Sequence, residues 1–406
     1  LRIRDNGGDG FRLQLATTWT EPHLVDCEVT DNAGWGVLAV TDEDMLLDVA
    51  GGAISGNGSG GVKVFGNEGS TFTRCAIHGN HGPGIKTAYA FFIDVVDCDV
   101  YANDGHGIAF ANNWRTRRDA YYAIDASRIR NNGLCGIVFA GAVPYEFAVR
   151  DCLVAGNGDD GIRIVSEAVT DDGEVQVHGC TIADNGGAGI FYDSDDGCSV
   201  ERTILAFNQL EGLANTGDRI AFISCSDIFG NLGGDWVGAI ADQVDERGNF
   251  SADPCFCDAR CDYRLCADSW CLPGHHPWGC DDLVGAYGSG CGPCGCGGTV
   301  AVEDASSDDQ PEQQSAVCEL VVAPNPCNPL TTIFLSLPDA GPVRAAVHDL
   351  RGRLVAEVID ATLRAGRHEA RWDGRDATGR DAPSGIYVVR VETGGRVTQQ
   401  RLALIR

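Results

Sequence analysis

The chain of 406 residues has few basic residues, few prolines and no long apolar run. Lys and Arg number 30 against 58 Asp and Glu, a formal net charge of −28. This deficit argues against nucleic-acid binding, because such proteins neutralise phosphates with basic side chains. Only 14 residues are proline, and the 54 glycines follow no three-residue period, which excludes collagen and proline-rich disorder. No stretch approaches the roughly 18 apolar residues of a membrane helix, so we expect no transmembrane segment.

The N-terminus also lacks a basic segment followed by an apolar one. The chain opens at Leu1, and we expect any export signal to lie outside this sequence. Basic residues are missing from residues 291–316 as well, where five acids stand without Lys or Arg. Because the stretch 297–317 has few large apolar residues and cannot bury a core, it is predicted to be an acidic flexible linker.

What the sequence does contain is a repeat of Asn followed four residues later by Gly. Successive Asn residues are 23 to 29 positions apart: Asn6, Asn32, Asn57, Asn80, Asn103, Asn132, Asn157, Asn185 and Asn208, with a degenerate copy at Asn231. This spacing is too short for a propeller blade and lacks a helical period, so it predicts a solenoid of β coils. The Asn side chains can hydrogen-bond between coils, and the Gly supplies either a positive φ or a close backbone approach.

Alternation within each coil indicates which side chains point inward. An aliphatic residue stands three before each Asn, and an apolar residue follows each repeat Gly. From Asn32 onward, the residue five before each Asn is small: Cys27, Gly52, Cys75, Cys98, Ser127, Cys152, Cys180, Thr203 and Ser226. Period-two alternation of this kind is typical of strands buried on one face.

The pattern small-x-Ile-x-x-Asn-x-x-x-Gly-Ile resembles the repeat of the right-handed parallel β-helix in the pectate-lyase-like superfamily. The resemblance implies a right-handed parallel β-helix solenoid of about 10 coils over residues 1–254. That superfamily includes lyases, hydrolases, epimerases, phage spikes and adhesins. The fold alone therefore leaves the function open.

Fourteen of the 19 cysteines form two populations. Five lie in the small inward column and are predicted to be reduced, buried thiols, because Gly, Ser and Thr replace them there. Nine more lie in residues 255–296, a segment that resembles the closing cap of exported bacterial β-helix proteins. We expect disulfides to staple this cap. Zinc is the alternative, alone or mixed with disulfides, with candidate ligands Cys257, Cys261, Cys291, Cys294, Cys296, His275 and His276.

Residues 318–406 are predicted to form an all-β module. Strand-like runs at 332–337, 344–349, 367–372, 386–391 and 401–405 are separated by Gly, Asp and Pro turns. The segments Pro324-Asn-Pro-Cys-Asn-Pro329, Asp349-Leu-Arg-Gly-Arg-Leu-Val355 and Trp372-Asp-Gly-Arg-Asp376 resemble immunoglobulin-like modules of the FlgD type and the type IX secretion sorting domain. The resemblance implies a small immunoglobulin-like β-sandwich over 318–406, which makes the whole chain all-β, and a role in export, surface attachment or subunit packing. Cys327 departs from the family pattern, which usually has an aromatic residue there, and a bond from Cys327 to Cys318 would staple the first strand.

One strand of the repeat carries charges on its outer side. In the strand before the small column, four consecutive coils place outward the candidate catalytic residues Asp125, Arg150, His178 and Glu201, about 4.8 Å apart per coil, with Asp94 and Gln176 alongside. Enzymes of the resembled superfamily bind substrate on this strand. In an enzyme, Glu201 would orient His178 as acid or base, and Arg150 would stabilise negative charge.

Loop lengths point to the same strands. The longest coil inserts residues 112–119 before Asp125, and the next longest inserts residues 167–174 before His178. Long loops over one face form the walls of a groove. The first loop holds the candidate substrate-binding residues Trp114, Arg115, Arg117 and Arg118. These suit a glycan, because the indole can stack on a sugar ring and guanidiniums can bind carboxylates or sulfates.

Calcium is a further expectation, because lyases of the resembled superfamily use it to bridge substrate carboxylates. The candidate ligands are loop acids: Asp42, Asp44, Asp171, Asp172, Asp193, Asp195 and Asp196. A purely structural role competes with each of these interpretations. The outward charges can be cross-strand ion pairs of an exposed sheet, and acidic loops are commonly only solvated.

Two functions follow from these features. The first is a secreted or outer-surface protein whose β-helix is a rigid platform for a polysaccharide or cell-surface glycan, and whose C-terminal module engages an export machinery or an anchor. The second is a polysaccharide lyase or glycoside hydrolase acting on an acidic polysaccharide in the groove. Both place the chain outside the cell, in keeping with its cysteine content.

Overall fold

The computed structural model describes residues 1–15, 20–41, 45–66, 69–111, 120–141, 143–166, 173–258, 262–276, 279–294, 319–323, 327, 329–337, 341–349, 353–364, 366–393 and 396–405. The chain divides into two compact units. The first comprises Leu1–Cys255 and Arg264–Thr299, and the second comprises Phe256–Tyr263 and Val300–Arg406.

The first unit contains three parallel sheets, to which successive coils contribute one strand each. Sheet 1 comprises His23–Val25, Leu46–Ala50, Gly69–Thr73, Phe92–Val96, Tyr121–Asp125, Glu146–Arg150, Glu174–His178, Gly197–Glu201 and Phe222–Ser224. Sheet 2 comprises Arg2–Arg4, Glu28–Thr30, Ala53–Ser55, Ala76–His78, Asp99–Tyr101, Arg128–Arg130, Leu153–Ala155, Thr181–Ala183, Ile204–Ala206 and Asp227–Phe229. Sheet 3 comprises Phe11–Leu15, Trp35–Thr41, Gly60–Phe65, Ile85–Ala88, Ile108–Ala111, Ile137–Ala140, Ile162–Val165, Ile190–Asp193 and Leu213–Asn215. The predicted right-handed parallel β-helix of about 10 coils is confirmed.

The inward columns pair in register between neighbouring coils. Ile77 lies opposite Ile54 and Val100 in sheet 2, and Ile85 lies opposite Ile108 in sheet 3. These side chains are fully or almost fully buried in one continuous core. Burying each Ile stabilises the fold by roughly 1.5–3 kcal/mol relative to leaving it exposed.

The Asn residues of the repeat form a buried hydrogen-bond ladder. The side-chain amide of Asn80 donates to Oδ1 of Asn103 at 2.8 Å, and Asn103 donates to Oδ1 of Asn132 at 3.0 Å. Equivalent links run from Asn6 to Asn231. Each Oδ1 also accepts a backbone N–H, as in the 3.2 Å bond from Asn80 to Asn103. The ladder therefore satisfies polar groups that the stack buries.

The sequence allowed the repeat glycines either a positive φ or a close backbone approach, and in the structure different residues fill these two roles. The glycines serve close backbone approach, since a Cβ on Gly107 would lie 2.6 Å from the carbonyl oxygen of Gly136. Positive φ angles occur elsewhere, at the residue before each Asn, such as Ala102 at 55°, and at the corner between sheets 1 and 2, such as Arg202 at 48°. These left-handed corners turn the chain from one sheet to the next.

The small inward column forms a second ladder. Oγ of Ser127 accepts the backbone N–H of Cys98 at 3.0 Å, and Oγ1 of Thr203 accepts that of Cys180 at 3.3 Å. The column thus favours a short side chain with an acceptor atom, which explains why Cys, Ser and Thr share it. Its five cysteines are buried free thiols, as predicted: Cys27, Cys75, Cys98, Cys152 and Cys180.

Coil length varies at one place only. From the small column to the Asn the spacing is always five residues, and from the Asn to the repeat Gly it is always four. The differences between 23-residue and 29-residue coils therefore fall in the connections from sheet 3 to the next strand of sheet 1.

The stack is followed by a short 3-10 helix at Gly238–Gln243 and by strands at Phe256–Asp258, Asp262–Cys266 and Ser289–Cys291. Disulfides join Cys225 to Cys280 and Cys266 to Cys294, and Cys255, Cys257 and Cys291 are also disulfide-bonded. The predicted disulfides are confirmed at these residues, so the zinc alternative loses three of its thiolates. The sequence interpretation was wrong for Cys271, a buried free thiol that donates to Oδ2 of Asp227 at 3.5 Å.

The cap also folds back over the outer face of sheet 2. The backbone N–H of Gly285 donates to the carbonyl oxygen of Arg202 at 2.7 Å, and that of Ala286 donates to Oγ1 of Thr181 at 3.0 Å. Leu153, Thr181 and Ile204 point outward from sheet 2 yet are at most 6% exposed. These strands are therefore buried on both faces, which the prediction of an end cap did not foresee.

The second unit contains a β-sandwich of two antiparallel sheets. One comprises Glu319–Ala323, Thr331–Leu337 and Gly366–Trp372, and the other comprises Leu354–Leu363, Gly341–Asp349, Gly385–Thr393 and Arg396–Leu404. Side chains from both sheets form the core, among them Ile333, Val347, Val389 and Trp372. Cys318 and the predicted linker 297–317 lie outside the described residues. No helix in the described part of the chain has the length and apolar character needed to cross a membrane.

Candidate functional site on sheet 1

The outward face of sheet 1 brings the predicted column together. Asp125 lies opposite Arg150, Arg150 opposite His178, and His178 opposite Glu201 on neighbouring strands. Gln176 lies two residues before His178 on the same outward side. The register of the inward residues dictates this alignment, because outward and inward residues alternate along every strand.

Arg150 is the centre of a polar cluster. Its Nη1 lies 3.6 Å from Oδ1 of Asp125, its Nη2 pairs with Oε1 of Glu146, and its Nη2 lies 3.5 Å from Oε1 of Gln176. The guanidinium thus reaches back along its own strand from position 150 to position 146. Ala148 lies between these positions and is completely buried although it points outward.

Two carboxyl groups meet beside this cluster. Asp94 and Asp125 are on adjacent strands and are both about half-buried. Burial raises the pKa of Asp94, and the negative charge of Asp125 raises it further. Burial also raises the pKa of Asp125, against the opposing effect of Arg150. Oδ1 of Asp125 is buried and makes no hydrogen bond within the described residues; Nη1 of Arg150, 3.6 Å away, is the cation beside it.

The predicted His178–Glu201 pair does not form in the structure. The Nε of Arg202 donates to Nε2 of His178 at 3.0 Å, and Nη2 of Arg202 contacts the same nitrogen. In the described part of the chain, the exposed carboxylate of Glu201 has no hydrogen bond or ion pair. Arg202 lies at the left-handed corner after sheet 1, where its side chain can reach back to the preceding coil.

Sequence reasoning missed a continuation of the polar face toward the N-terminus. His23, Asp48, Thr71 and Asp94 lie side by side on successive strands of sheet 1. Nδ1 of His23 lies 2.9 Å from Oδ2 of Asp48, and Thr71 donates to Oδ1 of Asp48 at 2.7 Å. This row lies two residues before the Asp125 column in each strand. Tracking that second outward position along the repeat could have found it.

Several predicted residues lie outside the described part of the chain. These are Trp114, Arg115, Arg117 and Arg118 of the first loop, and Asp42, Asp44, Asp171 and Asp172 among the loop acids. Both long loops nevertheless enter sheet 1 directly before the clustered strands, because the described residues end at Ala111 and Ser166 and resume at Ala120 and Gly173.

The remaining calcium candidates do not gather into one ligand set. Oδ2 of Asp196 accepts a hydrogen bond from Ser194 at 3.0 Å, and Oδ1 of Asp195 accepts the backbone N–H of Asp218 at 3.2 Å. Within the described ranges, no group of three potential ligands within 4.8 Å of one another includes Asp193, Asp195 or Asp196. These acids do not fit a shared cation site, and calcium stays a prediction.

Comparison with known proteins agrees with this architecture. Residues 1–119 match the family described as right handed beta helix region, in keeping with the three parallel sheets. The first unit of the chain folds as a right-handed parallel β-helix. Residues 332–396 of this β-helix protein match the FlgD Ig-like domain. The comparison with curated proteins gave no match.

Solved structures similar to this β-helix protein overlap with it only in part. The pectate lyase Pel9A has 11% identity and a TM-score of 0.41, covering 71% of this chain and 88% of its own. The periplasmic alginate epimerase AlgG has 14% identity and a TM-score of 0.34, covering 58% and 73%. PorZ, a surface component of the type-IX secretion system of Porphyromonas gingivalis, has 28% identity and a TM-score of 0.17, covering 21% of this chain and 11% of PorZ. These overlaps carry no information about activity.

Proposed function

We propose that this β-helix protein is a secreted or cell-surface platform that binds a glycan on the outward face of sheet 1. The observation that supports the proposal is the cluster around Arg150, whose guanidinium contacts Asp125, Glu146 and Gln176 beside the buried Ala148. Planar carboxylate, amide and guanidinium groups can each form two hydrogen bonds, which suits the paired hydroxyls of a sugar. Residues 112–119 and 167–172 precede in sequence the strands that carry Asp125 and His178.

A glycan screen with a matched pair of arginine variants tests the proposal. Arg150 and Arg163 belong to the same coil, and each pairs with an acid, but Arg163 lies on sheet 3, where it contacts Asp160 at 2.6 Å. We expect Arg150→Ala to weaken binding to the selected glycan at least about tenfold, because charge-assisted hydrogen bonds contribute roughly 1.5–3 kcal/mol. Arg163→Ala should bind like the parent. Equal loss in both variants, or no glycan bound by the parent, would contradict the proposal.

The FlgD Ig-like domain is proposed to serve export or attachment to the cell surface. Its sandwich has a hydrophobic core of its own, built from side chains of both sheets. We expect the chain lacking residues 318–406 to be lost from the surface and medium fractions of the producing cell. Surface recovery equal to that of the full chain would contradict this role.

A second candidate function is hydrolysis or elimination on an acidic polysaccharide. Asp94 and Asp125 favour it, because neighbouring carboxyl groups with raised pKa values are suited to acid–base catalysis. A screen of polysaccharides with and without calcium should detect reducing-end or unsaturated products. These products should disappear in Asp125→Asn, whereas glycan binding without turnover would leave only the platform function.

A further inference from the structure

We propose that Arg202 and Asp282 are positioning residues that hold His178 in the tautomer with its proton on Nδ1. His178 would then present a hydrogen-bond donor to a glycan on sheet 1, rather than act as a base oriented by Glu201. The inference rests on the glycan-binding function proposed above. The tautomer itself can be tested without any glycan.

The argument begins with the donors of Arg202. A guanidinium has only donors and keeps its proton in proteins, so an atom that it contacts at hydrogen-bond distance is an acceptor. Two nitrogens of Arg202 contact Nε2 of His178, one of them at 3.0 Å. The imidazole is therefore neutral with a lone pair on Nε2, which places the proton on Nδ1. That Nδ1 has no hydrogen-bond partner in the described part of the chain.

Asp282 of the cap holds Arg202 in place. Oδ2 of Asp282 lies 2.8 Å from Nη1 of Arg202, on the side of the guanidinium that does not face His178. The backbone N–H of Gly285 donates to the carbonyl oxygen of Arg202 at 2.7 Å. The cap residues around Asp282 thus bind both the side chain and the backbone of the residue that contacts His178.

The Cys225–Cys280 disulfide fixes this part of the cap. Cys280 is two residues from Asp282, and Cys225 is at the corner directly after the last strand of sheet 1. The cross-link therefore joins the Asp282 segment to the same edge of the solenoid. We infer that breaking this disulfide loosens the contact of Asp282 with Arg202, and through it the orientation of His178.

The test is the protonation pattern of the His178 ring in the full chain. With ¹⁵N-labelled histidine, the His178 signals can be assigned by their loss in His178→Asn. The parent should show a protonated Nδ1 and an unprotonated Nε2. In Arg202→Ala the ring should shift toward the Nε2-protonated form that free imidazole side chains favour, and Asp282→Asn should shift it partly. A parent with Nε2 protonated, or no change in Arg202→Ala, would overturn the proposal.

The coupling to the cap has its own matched control. Replacing both Cys225 and Cys280 by Ser should move the tautomer as Asp282→Asn does. Replacing Cys266 and Cys294 by Ser removes a disulfide of the same cap that does not flank Asp282, and it should leave the ring unchanged. Equal responses in the two double variants, whether both shift or neither does, would refute the coupling.

Binding variants separate this inference from the proposed function. His178→Asn keeps a donor near the Nδ1 position, whereas His178→Gln places its amide near Nε2. We expect binding of the screened glycan to be retained in the first and weakened about fivefold in the second, the value of one hydrogen bond. Equal losses would overturn the donor role. If no glycan binds the parent, the function fails while the ring spectra still decide the tautomer.

Discussion

The same coils present two outer faces with opposite chemistry. On sheet 1, Asp125, Arg150 and Gln176 are partly exposed and linked by polar contacts. On sheet 2, Leu153, Thr181 and Ile204 are buried beneath the cap. The inward columns and the Asn ladder that support both faces are the same. Inward residues therefore specify the solenoid, and outward residues decide whether the chain covers a face itself or leaves it to a partner.

A negative charge placed on each outer face should give the largest difference in stability between sheet 1 and sheet 2. Ile204 is fully buried, so Ile204→Asp buries a carboxylate without supplying a partner for it, and we expect the free energy of unfolding to fall by about 4 kcal/mol. Ser199→Asp adds the same charge to the open face in the same coil and should change it by at most about 0.5 kcal/mol. Chemical denaturation of both variants measures the difference. Similar losses in the two would mean that the cap does not exclude water from sheet 2.

The next largest difference in stability should separate the disulfide-bonded cysteines of the cap from the free thiols of the small inward column. Replacing Cys225 and Cys280 by Ser removes a cross-link between the cap and the solenoid, and stability should fall by roughly 2–4 kcal/mol. Cys180→Ser keeps an acceptor atom in the small inward column, where Ser is already found, so it should cost about 1 kcal/mol or less. Thermal unfolding under oxidising conditions compares them. A Cys180→Ser variant less stable than the double variant would contradict this expectation.

The smallest expected effect is the pH dependence of stability that arises from Asp94 on sheet 1. Burial and, to a lesser extent, the negative charge of Asp125 raise the pKa of Asp94 above its ordinary value of 3.8, so the folded chain binds this proton more tightly than the unfolded chain. Stability from this group is fully present below pH 3.8 and is lost as the pH rises through the folded pKa.

Asp94→Asn should remove that dependence and stabilise the chain at pH 7 by about 0.5 kcal/mol, because the group is half-exposed and screened by solvent. Denaturant midpoints between pH 4 and pH 7 measure it, with Asp97→Asn at the neighbouring corner as the control. A flat profile in the parent, or an equal change in Asp97→Asn, would contradict the expectation.

The fold was predictable because its information is periodic. Each coil repeats the same small, aliphatic, Asn and Gly positions, so nine copies averaged out local exceptions and placed the outward residues of sheet 1 in register. The FlgD Ig-like domain has no such repeat. There the strands Glu319–Ala323 and Leu354–Leu363 escaped prediction, the second because its sequence alternates apolar residues with Glu and Asp only irregularly.

The candidate site was less predictable because its contacts depend on corners and on distant chain segments. Arg202 is one residue beyond the strand, and only the left-handed corner turns it toward His178. Asp282 reaches it from 80 residues further along the chain. One signal was readable: Thr181-Ile-Ala183 and Ile204-Leu-Ala206 are apolar or small at every position, as expected of strands buried on both faces.

The placement of all length variation in one connection per coil makes the solenoid a modular scaffold. Segments between sheet 3 and sheet 1 can lengthen, shorten or be exchanged without shifting either hydrogen-bond ladder, since every ladder residue lies in the constant part of the coil. Evolution can therefore diversify recognition along one rim while the stack stays intact. The same property would let a designer graft new loops there, one coil at a time.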